Sequence, residues 1–438
     1  MRLPTADERP AQPEGDPTAP GAPRQGVQIG ALLLAAALLR MGVVAGTNAV
    51  IFDLNDLSSG QPSSVAVGVV GASQAVAEML LAFFLARLAD RFGRSRFLVG
   101  GPLVGACGIL LVALADQPAE FAAARVLEGI GAAAFVPTAL GTVAAATSHN
   151  RRVRARASGA FEGATLVGYA GGFLIGAVTW PALHRWSFVL FAGFYLAAAG
   201  ICATLVAHVP PLPVSSIGVV ARAIFGPGPI RAFIPAWLAV NCLVGAWYIN
   251  MTALLKHATE PSQTLVHSFD ERVIGLMQLA WVGLLIVGIV LWTPFLQRHG
   301  GPATMRRAVP GAFVVCAGLF AINHLPLRHA PLFLPVVVGG VLVQAGFVPA
   351  AVSYLADSSE ALVADRAALM AFYTVTLAGG GALGAVMGGV AAKLLLFDGL
   401  LVLGVSLAAV AMLSLDAVIR YERDHGMTRL RVAPDSRA

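Results

Sequence analysis

The sequence contains little charge and almost no lysine. Charged residues occupy 12% of the 438 positions and hydrophobic residues 57%, and Lys256 and Lys393 are its two lysines. Soluble domains carry roughly 25% charged residues, so the composition excludes an ordinary soluble protein. The alternating pattern of membrane β-strands is also missing, and apolar runs of about twenty residues recur instead. The composition therefore predicts an all-α membrane protein.

Motifs of enzymes and of metal or nucleotide binding are missing as well. Neither lysine lies in a phosphate-binding Gly-rich loop, no G-x-S-x-G turn occurs, and the nine histidines lack metal-ligand spacing. The four cysteines fall in apolar runs without paired spacing, which is typical of reduced packing residues. We expect no enzymatic activity, no cofactor and no metal.

The apolar runs predict twelve transmembrane helices in two groups of six. The first group forms a bundle over residues 27–207 and the second a bundle over 232–419. A proline-containing cytoplasmic linker, 208–231, joins the two bundles. A disordered tail is expected over 1–26 and a basic cytoplasmic tail over 420–438.

The distribution of arginine predicts the orientation. Most basic residues fall in segments that share one side of the membrane if both termini are cytoplasmic, as the positive-inside rule requires. The opposite side holds Arg185, Lys256, Arg272, Arg328 and Lys393. This pattern accounts for the net charge of +6 without nucleic-acid binding. The basic C-terminal tail is expected to contact anionic lipid headgroups, and the Arg-rich, Lys-poor usage indicates a bacterial plasma (inner) membrane.

The two halves contain matching motifs. The fifth predicted helix of each half carries three glycines at four-residue spacing, which is typical of close helix packing. These glycines are Gly168, Gly172 and Gly176 in the first half and Gly380, Gly384 and Gly388 in the second. The segment LQRHGGPATMRR, 296–307, occupies the same place as ARLADRFGRSR, 86–96. Two pseudo-repeats predict a cavity between them near the membrane midplane.

The charged loop after the second helix resembles a family signature. Ala86-x-x-x-Asp90-Arg91-x-Gly93-Arg94 is similar to the G-x-x-x-D-R-x-G-R-R/K loop of the major facilitator superfamily. Ala86 replaces the usual glycine of the family pattern. The resemblance implies the twelve-helix fold of that superfamily, transport as a monomer by alternating access, and cytoplasmic gating by Asp90, Arg91, Gly93 and Arg94.

Two further segments extend the resemblance. RVLEGIGAA, 125–133, is similar to the superfamily pattern R-x-x-Q-G-x-G-A-A. GYAGGFLIG, 168–176, keeps the glycines of the G-x-x-x-G-P-x-x-G-G pattern of proton antiporters but lacks its proline. The partial match favours efflux by proton antiport.

Ionisable residues inside predicted helices are costly and usually line a cavity or meet a partner. The first half contains five of them: Arg40, Glu78, Arg125, Glu128 and Glu162. The spacing of Arg125 and Glu128 places both on one helix face, so a local ion pair is one interpretation. Arg40 then has Glu78 or Glu162 as partner, and the carboxyl left over is able to exchange a proton near neutral pH.

This pattern makes Glu128 and Glu162 the preferred proton-coupling candidates, followed by Glu78, with Arg40 and Arg125 as counter-charges. Candidate residues for a substrate cavity lie in the second half, where a mostly apolar and aromatic wall suits a small amphiphilic molecule. They are Asn241, Trp247, Tyr248, Gln278, Gln344 and Tyr373.

The sequence therefore predicts a secondary transporter that exports small amphiphilic molecules in exchange for protons. Two alternatives stay open. One is a proton symporter that takes up a small organic acid with Arg40 as counter-charge, and the other is a membrane sensor or scaffold that transports nothing.

Overall fold

The computed structural model describes residues 22–59, 61–147, 151–206, 229–359 and 366–424. The described residues are mostly α-helical. In chain order the helices are α1 Ala22–Leu57, α2 Ser64–Phe92, α3 Arg94–Val112, α4 Pro118–Ala146, α5 Arg151–Leu183, α6 Ser187–Leu205, α7 Pro229–Lys256, α8 Glu271–His299, α9 Gly301–Ala308, α10 Pro310–His324, α11 Ala330–Gln344, α12 Phe347–Ser359 and α13 Arg366–Asp424.

Ten helical stretches in the described part of the chain are long and apolar enough to cross a membrane. Helices suit this sequence because hydrocarbon offers no partners for backbone polar groups, and a helix satisfies those groups internally. The chain is thus a multi-pass membrane protein.

Two of these ten stretches are too long for one crossing. They cover Gly159–Leu205 and Val375–Asp424, 47 and 50 residues, and a straight helix of that length would reach about 70 Å. The first contains a short 3₁₀ turn, His184–Trp186, and the second is interrupted at Leu395 and Leu396. His184 and Leu396 both have positive φ, 45° and 52°, a conformation that ends a regular helix.

Two ends of the bundle serve as reference points. We name the end at which α2 passes into α3 the motif end, because Asp90 and Arg94 lie there, and the opposite end the far end. Gly93 joins α2 to α3 with φ of 98°, which a glycine adopts without strain. At the far end Ser63 and Asp270 accept hydrogen bonds from the first turns of α2 and α8.

The glycines of α5 lie against α1. A Cβ atom at Gly168 would come within 2.6 Å of the carbonyl oxygen of Ala37, and one at Gly172 within 2.7 Å of the Cβ of Val44. The glycines of α13 lie against α7 in the same manner, with Gly384 directly on the backbone of Cys242. Only glycine permits these backbone approaches.

The two halves meet through α2 with α13 and α5 with α8. Near the far end Gly68 contacts the backbone of Ala385, and Gly275 contacts Ala177. These small residues let the helices of opposite halves approach closely at the far end.

Several sequence predictions fall on residues outside the described ranges. These are residues 1–21 of the predicted disordered tail, 208–228 of the predicted linker 208–231 and 425–438 of the predicted basic tail 420–438. Helix α7 begins at Pro229, inside the predicted linker, and α13 ends at Asp424, inside the predicted tail. Helix α1 begins at Ala22, earlier than the boundary expected at residue 27.

Candidate functional site

The most buried charges of the described chain lie together on α4. Arg125 and Glu128 are 1% and 0% exposed, and their side chains form an ion pair of 2.5 Å. Tyr195 of α6 donates a hydrogen bond to the second carboxylate oxygen of Glu128. The other end of the Arg125 guanidinium donates to the hydroxyl of Thr47 on α1 at 2.6 Å. Four residues from three helices thus share one polar network inside an apolar bundle.

A second buried ion pair joins α1 and α2. Arg40 contacts Glu78 at 3.1 Å, and both side chains are more than nine-tenths buried. Gln74, one turn before Glu78, donates a hydrogen bond of 2.9 Å to the same carboxylate. Arg40 also attracts the carboxylate of Glu162 on α5. The structure therefore selects Glu78 as the direct partner of Arg40, with Glu162 close enough to interact.

The two networks hold two guanidinium groups, of Arg40 and Arg125, and two carboxylates, of Glu78 and Glu128. Burying such charges costs several kcal/mol per ion unless partners compensate the cost. Each buried carboxylate faces one guanidinium group, so the four ionised groups balance one another. Carboxylates inside membrane helices are typical proton carriers of transporters, and proton exchange is the chemistry that this arrangement can perform.

A third polar network crosses between the halves. Asn48 of α1 and Gln278 of α8 exchange amide hydrogen bonds, 2.7 Å from Asn48 Nδ2 to Gln278 Oε1 and 3.3 Å in return. Gln278 Nε2 also donates to the hydroxyl of Thr252 on α7 at 2.7 Å. Asn48 and Thr252 are almost fully buried. This network fastens α1 to two helices of the second half.

An aromatic contact lies beside this network. The ring of Tyr248 on α7 meets Phe173 of α5 edge-on, with centroids 5.3 Å apart. The Tyr248 hydroxyl is buried in the neighbourhood of Thr47. Tyr248 and Gln278, both predicted cavity residues, therefore lie at the interface between the halves.

The remaining cavity candidates lie elsewhere. Asn241 donates to the Trp237 carbonyl oxygen of its own helix, and Trp247 packs edge-on against Trp281 at 5.6 Å. Gln344 is half-buried in α11. Tyr373 belongs to α13, but its side chain is outside the described part of the structure.

The signature loop forms a compact cluster at the motif end. Arg94 binds Asp90 through an ion pair of 2.7 Å and donates a hydrogen bond of 2.9 Å to the carbonyl oxygen of Gly141 on α4. The side chain of Arg94 is buried, whereas Arg91 is exposed beside the ring of Phe92. Asp90, Gly93 and Arg94 thus act as one unit that docks α3 on α4.

Sequence reasoning missed the partners that come from other helices. Thr47, Asn48, Gln74 and Tyr195 complete the networks, and none of them was a candidate. A buried polar residue inside an apolar run was the available signal for Asn48, but its partner Gln278 lies far along the chain. Far-end ion pairs of Arg185 with Asp53 and Asp116 were missed for the same reason.

The arrangement defines a helical membrane protein with buried ion pairs in one half and polar contacts between halves. The family model of the Major Facilitator Superfamily matches residues 31–343. The chain therefore belongs to the Major Facilitator Superfamily, which makes it a transporter and not an enzyme.

Individual relatives are more distant. The multidrug resistance protein MdtH of Yersinia enterocolitica is 30% identical over 142 residues, 32% of this chain and 34% of that protein. The match thus spans about a third of the length of this curated relative. The same protein of Yersinia pestis is 29% identical over the same length.

Solved structures share the fold. A structure of the nucleoside transporter NupG has a TM-score of 0.70 at 14% identity and covers 90% of this chain and 99% of its own. A bacterial homologue of the human lysosomal transporter Spinster has a TM-score of 0.62 at 15% identity, covering 94% and 95%. At these identities the likeness establishes the fold alone.

Proposed function

We propose that this transporter exports small amphiphilic organic molecules from the cytoplasm in exchange for protons, by alternating access. The observation that carries the proposal is the pair of buried ionic networks in the first half. They bury two carboxylates, Glu78 and Glu128, each against one guanidinium group, and Glu128 lies at the centre of one network. Proton exchange at Glu128, or at Glu162 beside Arg40, supplies the coupling.

The partial likeness to MdtH supports export. That protein is named for multidrug resistance, and the match to this chain covers about a third of each. The aromatic and apolar surroundings of Tyr248 and Phe173 at the interface suit a weakly polar ligand better than a polyol.

The symport alternative is less favoured by the contacts of Arg40. Its guanidinium already binds the carboxylate of Glu78 and attracts that of Glu162. An anionic substrate would have to displace a carboxylate from a buried ion pair, at a cost of several kcal/mol. The scaffold alternative gives no role to the two buried ion pairs.

We further propose that the two long helical stretches each cross the membrane twice, reversing at His184–Trp186 and at Leu395 to Leu396. This topology gives twelve crossings in two pseudo-repeats. The glycine rows of α5 and α13, which pack on α1 and α7 in the same way, support it. The chain would then be a monomer of a bacterial inner membrane, with the motif end and both termini cytoplasmic and its basic tail on lipid headgroups.

Proton movement in proteoliposomes tests this function. The wild-type protein is reconstituted with an entrapped pH dye, and tetraphenylphosphonium, a neutral amphiphile and benzoate are added in turn under an imposed pH gradient. We expect a proton flux opposite in direction to the flux of a cationic or neutral compound. Glu128→Gln or Glu162→Gln should abolish this flux, because glutamine cannot exchange a proton.

Asp424→Asn is the matched control, since Asp424 is exposed at the end of α13 and should not change the flux. Benzoate and protons moving in the same direction would favour the symport alternative. Binding of all three compounds without flux would contradict transport by this mechanism.

A further inference from the structure

Thr47 and Asn48 of α1 are neighbours in sequence, and each belongs to a different polar network. Thr47 accepts the hydrogen bond of Arg125, whose other end pairs with Glu128. Asn48 holds the amide of Gln278 in the opposite half. The same turn of α1 carries both residues. A movement of that turn therefore changes the contact with the buried ion pair and the contact between the halves at the same time.

We propose that Thr47 and Asn48 are positioning residues that transmit the protonation state of Glu128 to closure of the far end. This inference rests on the proposed proton coupling at Glu128. With Glu128 ionised, its carboxylate and the Thr47 hydroxyl share the guanidinium of Arg125. When Glu128 binds a proton, Arg125 loses the negative charge that faced it. The hydrogen bond from Arg125 to the hydroxyl of Thr47 then becomes stronger.

The stronger bond holds α1 against α4 and keeps Asn48 in register with Gln278. Protonation thus favours the closed far end, and loss of the proton loosens it. This direction of the effect suits an exporter that binds a proton while its far end is open to the outside. Proton binding then closes the far end.

Other charged and titratable groups surround Glu128. Tyr195 on α6 donates to Glu128, and Glu78 on α2 repels it electrostatically. Tyr248 on α7 and Arg40 on α1 lie in the same neighbourhood. Of these groups on helices packed around Glu128, none donates to or accepts from Asn48 among the described hydrogen bonds, so the path through Thr47 is the direct one.

The closure of the far end is measurable without a substrate. Spin labels are placed at Leu114 and Leu332, which are exposed at the far end of the two halves, after the exposed Cys107 has been replaced by alanine. Distances between the labels are recorded by pulsed EPR in lipid nanodiscs from pH 5 to pH 9. For wild type we expect a short distance at low pH and a growing population at longer distance as pH rises.

Thr47→Val keeps the shape of the side chain but removes the acceptor, so the pH dependence should disappear. Thr47→Ser keeps the hydroxyl and should restore it. Gln278→Leu should raise the ratio of open to closed far ends about tenfold at low pH, as expected for a lost buried hydrogen bond. Thr142→Val is the matched control, because the hydroxyl of Thr142 bonds only within α4 in the described contacts.

The outcomes separate this inference from the proposed function. Glu128→Gln should abolish the pH dependence as Thr47→Val does. If Glu128→Gln abolishes it and Thr47→Val does not, the link through α1 is wrong while proton coupling at Glu128 stands. If Glu128→Gln keeps the wild-type pH dependence, both the coupling role of Glu128 and the link are wrong.

Discussion

Individual buried side chains in this protein are held by partners on other helices. Glu128 is satisfied by Arg125 on its own helix and by Tyr195 on α6, and Arg40 is satisfied by Glu78 on α2. Each of these contacts fixes a charge inside an apolar bundle, where an unpartnered charge costs several kcal/mol. The same logic applies at the motif end, where the buried Arg94 relies on Asp90 and Gly141.

Asp90→Asn tests that cluster. The substitution removes the counter-charge of a buried guanidinium that keeps only its bond to the carbonyl oxygen of Gly141. The loss should lower the free energy of unfolding by about 1–3 kcal/mol, between the values for exposed and fully buried pairs. Unfolding in detergent, followed by tryptophan fluorescence, measures it.

Arg96→Gln is the control for this substitution, since Arg96 is exposed at the same end and no ion pair of its side chain is described. Equal unfolding free energies for wild type, Asp90→Asn and Arg96→Gln would show that the cluster contributes nothing to stability.

Rows of glycines and buried polar contacts determine which helices of this fold pack against each other. The spacing of Gly380, Gly384 and Gly388 in sequence indicated a packing face, and that face lies on α7. Close approach of the backbones increases van der Waals contact, which replaces the hydrophobic effect as the main attraction between helices in lipid.

Gly384→Ala and Gly381→Ala form a matched pair on α13. A Cβ at position 384 would overlap the backbone of Cys242, whereas a Cβ at 381 meets open space. We expect the first substitution to destabilise the protein by about 1–3 kcal/mol and the second to be neutral or slightly stabilising, since alanine favours helix. Thermal unfolding of both variants measures the difference, and identical midpoints would contradict the packing role.

Sequence patterns located features that depend on neighbours along the chain. The spacing of Arg125 and Glu128 indicated one shared helix face and offered their ion pair as one interpretation, and the glycine spacing predicted packing faces. Contacts between distant segments were beyond such patterns, because residue spacing does not say which helices are adjacent. Arg40 had two carboxylates to choose from, and the pairing of Asn48 with Gln278 had no local signal.

At the scale of the whole molecule, small residues bring the halves together at the far end. Gly68 with Ala385 and Gly275 with Ala177 allow this approach, while the network of Asn48 and Gln278 lies further inside. The proposed alternating access would require these contacts to break and re-form in each cycle. Small residues and neutral amides suit such a contact, since separating them leaves no unpaired buried charge.

The central claim is that a proton moving through Glu128 drives transport, and one measurement with two readouts tests it most directly. In the first readout, proteoliposomes are exposed to labelled tetraphenylphosphonium, and its accumulation under a pH gradient is recorded. In the second, proteoliposomes are loaded with the label, and its exchange at equal pH on both sides is recorded. Wild type should accumulate the label and exchange it. Glu128→Gln should lose accumulation but keep exchange, because exchange needs alternating access without net proton movement. Accumulation by Glu128→Gln at the wild-type level would contradict the account.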